Sequence, residues 1–261
     1  MSFRIENSVL VVLPCLILFS GQCNFIPSFF NPDGMKKLLS LFLIFFVFLN
    51  GNSQSLKYVH FSNGADIYSL SYITDQKIII KISLDGKILE YGIDQEAGRY
   101  YSQPGKLQPY MGRIEYYTNQ FDSILNGKLK SIGITTITYY GSFENKSLVG
   151  KIKSIGNMQM DYFNEFENDG LRGKLRSAGQ NRFDYYGSFE NDAYKGKIKT
   201  LGTNQITYYS TFDDKYVQSK LKSIGSFNYV WYTSFETTRF RAGLKSGNTQ
   251  QLIDGVLYII W

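Results

Sequence analysis

Lysine recurs in closely spaced pairs along this chain: Lys128 and Lys130, Lys151 and Lys153, Lys174 with Arg176, Lys197 and Lys199, Lys220 and Lys222. Each pair lies 23 residues after the last, and Tyr140, Tyr186, Tyr209 and Tyr232 recur among them. Regularly spaced cations beside aromatic rings suit an anionic polymer or a glycan, held by charge and by ring stacking. These fourteen side chains are the candidate binding surface. An acid accompanies each pair (Glu144, Glu167, Glu190, Asp213, Glu236), so the face is mixed in sign and weak cross-strand ion pairs are the simplest use of it.

Equipment for catalysis is sparse. The chain has one histidine, His60, and two cysteines, Cys15 and Cys23. That leaves little room for a metal cluster, a disulfide scaffold or a Ser-His-Asp enzyme. Glycoside hydrolysis needs one special carboxylate pair, whereas the acids here recur once per unit, as architecture does. No Gly-x-Ser-x-Gly, phosphate loop or metal-ligand spacing occurs. A non-enzymatic protein without cofactor or metal is expected.

The N-terminus reads as an address. Met35-Lys36-Lys37 opens a basic stretch, Leu38 to Leu49 is an almost unbroken apolar run, and Gly51 and Ser53 are small residues suited to cleavage after Ser53. A run of 12 residues is short for a membrane span. Residues 35–53 are therefore expected to be a secretory signal peptide, and 1–34 an over-extended reading frame ahead of the true start at Met35. The expected location is outside the cell or in its envelope, periplasm or surface. Export makes nucleic acid a poor partner despite a net charge of +6. Envelope glycan, anionic lipid or another envelope protein are the partners to expect.

The elements that position the lysines come from a repeat. Gly127-Lys-Leu-Lys-Ser-Ile-Gly133 returns at Gly150, Gly173, Gly196 and Ser219, with earlier copies at Gly86 and Gly105 and a worn one at Ala242. The second half, Tyr139-Tyr-Gly-Ser-Phe-Glu-Asn145, returns as Tyr185 to Asn191 and more loosely elsewhere. Both halves alternate apolar and polar residues, which means strand, and the glycines supply turns. The spacing predicts an all-β repeat array of antiparallel β-hairpins, 23 residues to the unit, forming an elongated sheet or solenoid. Residues 54–104 are expected to be a β-rich N-terminal cap. Residues 105–261 are expected to be the hairpin repeats, with a C-terminal capping strand. Extending the alternation puts Leu129, Ile152, Leu175, Ile198 and Leu221 on a core face. Tyr139, Tyr162, Tyr185, Tyr208 and Trp231 join them, as do Phe143, Phe166, Phe189, Phe212 and Phe235. Both members of every lysine pair fall on the opposite face.

The order Tyr185, Gly187, Phe189, Asn191, Gly196, repeated as Tyr139, Gly141, Phe143, Asn145, Gly150, resembles MORN repeats. Ile152 and Ile198 stand where that family has the second glycine of Gly-x-Gly. The resemblance spans roughly 86–261 and implies a scaffold or membrane-proximal binding surface without catalysis. An outer-membrane β-barrel is the alternative, suggested by the alternating C-terminal run Val256 to Trp261. Against it stand the paired lysines, costly on a lipid-facing strand, and strands too short to span.

Overall fold

The computed structural model describes residues 54–94, 104–119, 122–167, 169–236 and 243–261, all within one compact unit, Asn52–Trp261. The expected extension 1–34 and leader 35–53 lie outside the described residues. The protein is all-β, and the helical element among the described residues is a single 3-10 turn at Ser123–Leu125.

The repeats build one antiparallel meander. Its strands are β6 (Ile114–Tyr116), β7 (Leu129–Ile132), β8 (Thr135–Tyr139), β9 (Ile152–Ile155), β10 (Met158–Tyr162), β11 (Leu175–Ala178), β12 (Asn181–Tyr185), β13 (Ile198–Leu201), β14 (Asn204–Tyr208), β15 (Leu221–Ile224) and β16 (Phe227–Asn228). They form an 11-stranded sheet in chain order. Within a unit a four-residue strand meets a five-residue strand across a two-residue turn, as in Ile132 opposite Thr135. Gly133 opens that turn at φ 59°, the left-handed value that a II′ hairpin needs at its first central position. A small hairpin of β17 (Val230–Trp231) and β18 (Leu244–Ser246) follows the meander.

Between units the ladder is interrupted. Tyr139 pairs with Ile152 but Thr138 pairs with Ser154, so Lys153 is an extra, unopposed residue. The same bulge leaves out Lys130, Arg176, Lys199 and Lys222. A β-bulge bends its strand and re-aims neighbouring side chains. Here it separates the two lysines of each pair.

The N-terminal segment covers the inner face of the meander rather than capping its end. Strands β1 (Ser55–Ser62), β2 (Asp66–Ile73), β3 (Ile78–Ile82), β4 (Ile88–Asp94) and β5 (Leu107–Gln108) join the C-terminal hairpin β19 (Gln250–Ile253) and β20 (Val256–Ile260) in a second, 7-stranded sheet. The expected C-terminal capping strand thus lies in this covering sheet: β20 runs parallel to β1, Phe61 opposite Ile260. Neither sheet closes on itself.

The core lies between the sheets. Val59, Phe61, Leu70, Tyr72, Ile80 and Ile82 of the cover pack in one cluster with Ile152, Leu175, Phe183, Ile206 and Leu221 of the repeats. Backbone groups bind the layers too, since the N–H groups of Ile152, Leu175 and Leu221 donate to the carbonyls of Gly86, Leu84 and Gly64. At the other edge Gln54 and Gln76 reach the repeat turns, accepting from Asn157 and Met158 and from Ile134.

One expectation about the core fails. The tyrosine, tryptophan and leucine columns lie between the sheets, but Phe143, Phe166, Phe189, Phe212 and Phe235 are 103, 85, 103, 93 and 93% exposed. The ladder ends at Tyr139 and its equivalents, and the chain then enters a turn at Gly141, where Glu144 N–H donates to the Gly141 carbonyl. Strand alternation does not carry through a turn, so each Phe stands at a loop tip.

Candidate binding surface

Each unit offers two aromatic residues in succession, and the fold uses them differently. The first points inward. Tyr139, Tyr162 and Tyr185 donate to the carbonyls of Leu129, Ile152 and Leu175 at 3.0, 2.9 and 2.8 Å, and Trp231 Nε1 does the same to Leu221 at 2.7 Å. Burial pushes the phenol pKa of Tyr162 and Tyr185 upward, so these rings stay neutral donors.

The second aromatic bridges to the next unit. Tyr140, Tyr186 and Tyr209 donate to the carbonyls of Met160, Ile206 and Tyr229 at 3.0, 2.9 and 3.0 Å. Tyr186 is buried, and Tyr140, Tyr209 and Tyr232 are half-buried. These expected binding rings are largely spent on holding successive units together.

The lysine pairs divide between two sides. Lys128, Lys151, Lys174, Lys197 and Lys220 turn toward the covering sheet and lie 4.9–5.5 Å over Tyr139, Tyr162, Tyr185, Tyr208 and Trp231. Lys151 donates to the Asp85 carbonyl at 2.7 Å, Lys197 to those of Ala65 and Ser219 at 3.1 and 3.0 Å, and Lys220 to Asn63. Lys174 instead bonds the Gly196 carbonyl at 2.6 Å, on the wall of an open cleft of about 650 Å³. Burial holds the ammonium pKa of Lys128, Lys151, Lys174 and Lys220 below the usual lysine range. Most of this column clamps the sandwich.

The bulge residues Lys130, Lys153, Arg176, Lys199 and Lys222 do not turn toward the cover. Lys153, Arg176, Lys199 and Lys222 lie 5.3–5.5 Å over Tyr140, Phe163, Tyr186 and Tyr209, and Lys245 lies 5.8 Å over Tyr232. Most also meet the acid of their unit: Lys153 with Glu144 at 3.1 Å, Arg176 with Glu167 at 3.1 Å, Lys199 with Glu190 at 4.0 Å, and Lys130 with Glu115 at 3.8 Å. Such a face is charge-balanced, which removes the counterion-release gain expected of a polyanion site.

What the structure leaves unused is the phenylalanine row. Its loops are tied in line by a second column, the Asn or Asp five residues before the Gly127, Gly150, Gly196 or Ser219 that closes each loop. Asn191 Oδ1 accepts from Ala193 N–H in its own loop and from Thr211 N–H in the next, both at 3.0 Å. Asp214 serves Tyr216 and Ser234 in the same way at 3.0 Å, and Asp122 accepts from Ser142 N–H at 2.7 Å. The repeating Asn was visible in the sequence. Its role in tying one loop to the next was not, although the Gly-Ser between Tyr140 and Phe143 is a turn signal.

His60 has an architectural place. It is buried in β1, with Nδ1 3.2 Å from Ser69 Oγ and its ring stacked on Trp261 at 6.4 Å. Burial first, and Lys81 second, push its pKa down to about 4. A depressed histidine pKa contributes stability above the unfolded value near 6.5, and that contribution disappears as the pH falls through 4. Urea unfolding at pH 7 and pH 4.5 should differ by about 2 kcal/mol on this account. The His60→Gln variant should lose most of the difference between those two pH values, and an unchanged pH slope in that variant would refute the assignment.

No family model, curated protein or solved structure matches the chain.

Proposed function

We propose that the chain is an exported, non-enzymatic repeat scaffold of MORN-like type, binding other molecules in the envelope or outside the cell through its phenylalanine edge. One observation carries this reading: five large apolar side chains, equally spaced in sequence, project from one row of loops while the core is complete without them. Exposed apolar residues scattered singly need no explanation, but a contiguous row marks an interaction site. The Lys and Tyr columns support it from behind, since they stiffen the stack that presents the row. The leader-like residue pattern over 35–53 supports export. The barrel alternative draws no support from two open sheets.

The test is a triple variant, Phe166→Ser, Phe189→Ser and Phe212→Ser, followed in native cells with intact-mass analysis of each fraction. The wild type should begin at Gln54 and be retained with the envelope, whereas the variant should fold normally and escape to the soluble fraction or medium. Identical distributions would sink the edge as the surface that retains the chain in the envelope, and a membrane species retaining Met35 would sink export.

A further inference from the structure

We propose that the occupant of the phenylalanine edge is a second copy of this chain, the two rows interlocking; this rests on the edge being a binding surface, as proposed above. Spacing is the first argument. Successive Phe tips are one unit apart, which is two strands of the meander, or about 9.6 Å at the usual strand separation. A ring inserted midway between two tips would sit about 4.8 Å from each, inside the roughly 4.5–7 Å range that aromatic pairs prefer. A row with that period is complementary to itself, and a two-fold axis makes the contact isologous and closed.

Area is the second argument. Each of the five rings has almost all of its surface in solvent. Burying roughly 150 Å² for each gives about 750 Å² per copy, close to the roughly 800 Å² per partner of a stable specific interface.

Charge is the third. Four carboxylates beside the rings have ion-pair partners in their own chain, Glu144 with Lys153, Glu167 with Arg176, Glu190 with Lys199 and Glu236 with Lys245, while Glu165 and Asp213 accept hydrogen bonds from Asn145 and Ser210. In the loops Asp169 pairs with Arg172 and Asp192 with Lys195, both at 2.6 Å. Two such edges can meet with little like-charge repulsion. An interfacial membrane binder instead carries spare Lys and Arg all around its apolar residues, whereas here Lys153, Arg172, Arg176, Lys195 and Lys199 are ion-paired, and among the described loop residues Lys146 and Lys215 are not.

The experiment places the photo-crosslinking residue benzoylphenylalanine at Phe189 in the full chain, irradiates intact cells and reads adduct masses. It is paired with sedimentation velocity of the purified wild type and of the triple serine variant. The expected results are an adduct of two copies and a wild-type dimer that the serine variant weakens more than about a hundredfold, with unchanged far-UV circular dichroism. An adduct with any other molecule, or a dimer the variant leaves intact, overturns self-association while the edge reading survives in the first case. No adduct at all overturns both.

Discussion

Gly64→Ala is expected to destabilise the protein by roughly 3 kcal/mol or more. Gly64 sits in the β1–β2 turn at φ 59°, a left-handed conformation that costs an L-residue about 1 kcal/mol. A Cβ there would also run into the six-membered ring of Trp231. That indole cannot retreat easily. It is buried, its Nε1 is bonded to the Leu221 carbonyl at 2.7 Å, and Lys220 lies 4.9 Å over it. The Gly64 carbonyl meanwhile accepts from Leu221 N–H at 2.7 Å, so moving the turn breaks a bond between the sheets. Gly202→Ala is the control. It has nearly the same φ, 60°, with open space where its Cβ would go, and should cost only about 1 kcal/mol. Equal losses for the two variants in denaturant titrations would show that the Trp231 contact does not hold the cover in place.

Leu175→Ala should cost about 2–5 kcal/mol, whereas Phe189→Ala should stay within about 0.5 kcal/mol of the wild type. Leu175 is fully buried between the sheets in the same unit, so its truncation leaves a cavity walled by both layers. Phe189 touches almost nothing, and its removal deletes no packing. The comparison runs against the usual expectation that an aromatic core candidate outweighs a leucine. A loss above about 1 kcal/mol for Phe189→Ala, measured in dilute protein to exclude association, would mean that the loop folds back over the ring.

Much of this arrangement was legible in the residues. The four-residue and five-residue strands follow from alternation in Ile152-Lys-Ser-Ile155 and Met158 to Tyr162, and Gly156 marks the turn between them. The columns of leucine, isoleucine and tyrosine were placed correctly because they lie within single strands, where period two holds. Reasoning by parity failed where the ladder itself breaks. The bulge at Lys153 and the turn at Gly141 each shift the phase, which sent Lys151 inward and Phe143 outward. The covering sheet was not legible as a cover, because nothing local in Asp66–Ile73 or Val256–Ile260 says which distant strand or face will complete it. Ser69–Tyr72 are buried in succession, and a short apolar run does not name its neighbours.

The parallel pairing of Phe61 with Ile260 has a consequence for how the molecule comes to be. The meander has mostly nearest-neighbour contacts and can zip up one hairpin at a time, at low entropic cost. The first strand cannot be completed that way, since its partner emerges about 200 residues later and closing so long a loop is slow. Until then β1 presents an unpaired edge, the kind of surface that recruits other chains into aggregates. Assembly should therefore run in two stages, a rapid local one for the repeats and a late one in which the two ends of the chain meet, and the second stage sets both the folding rate and the period of vulnerability.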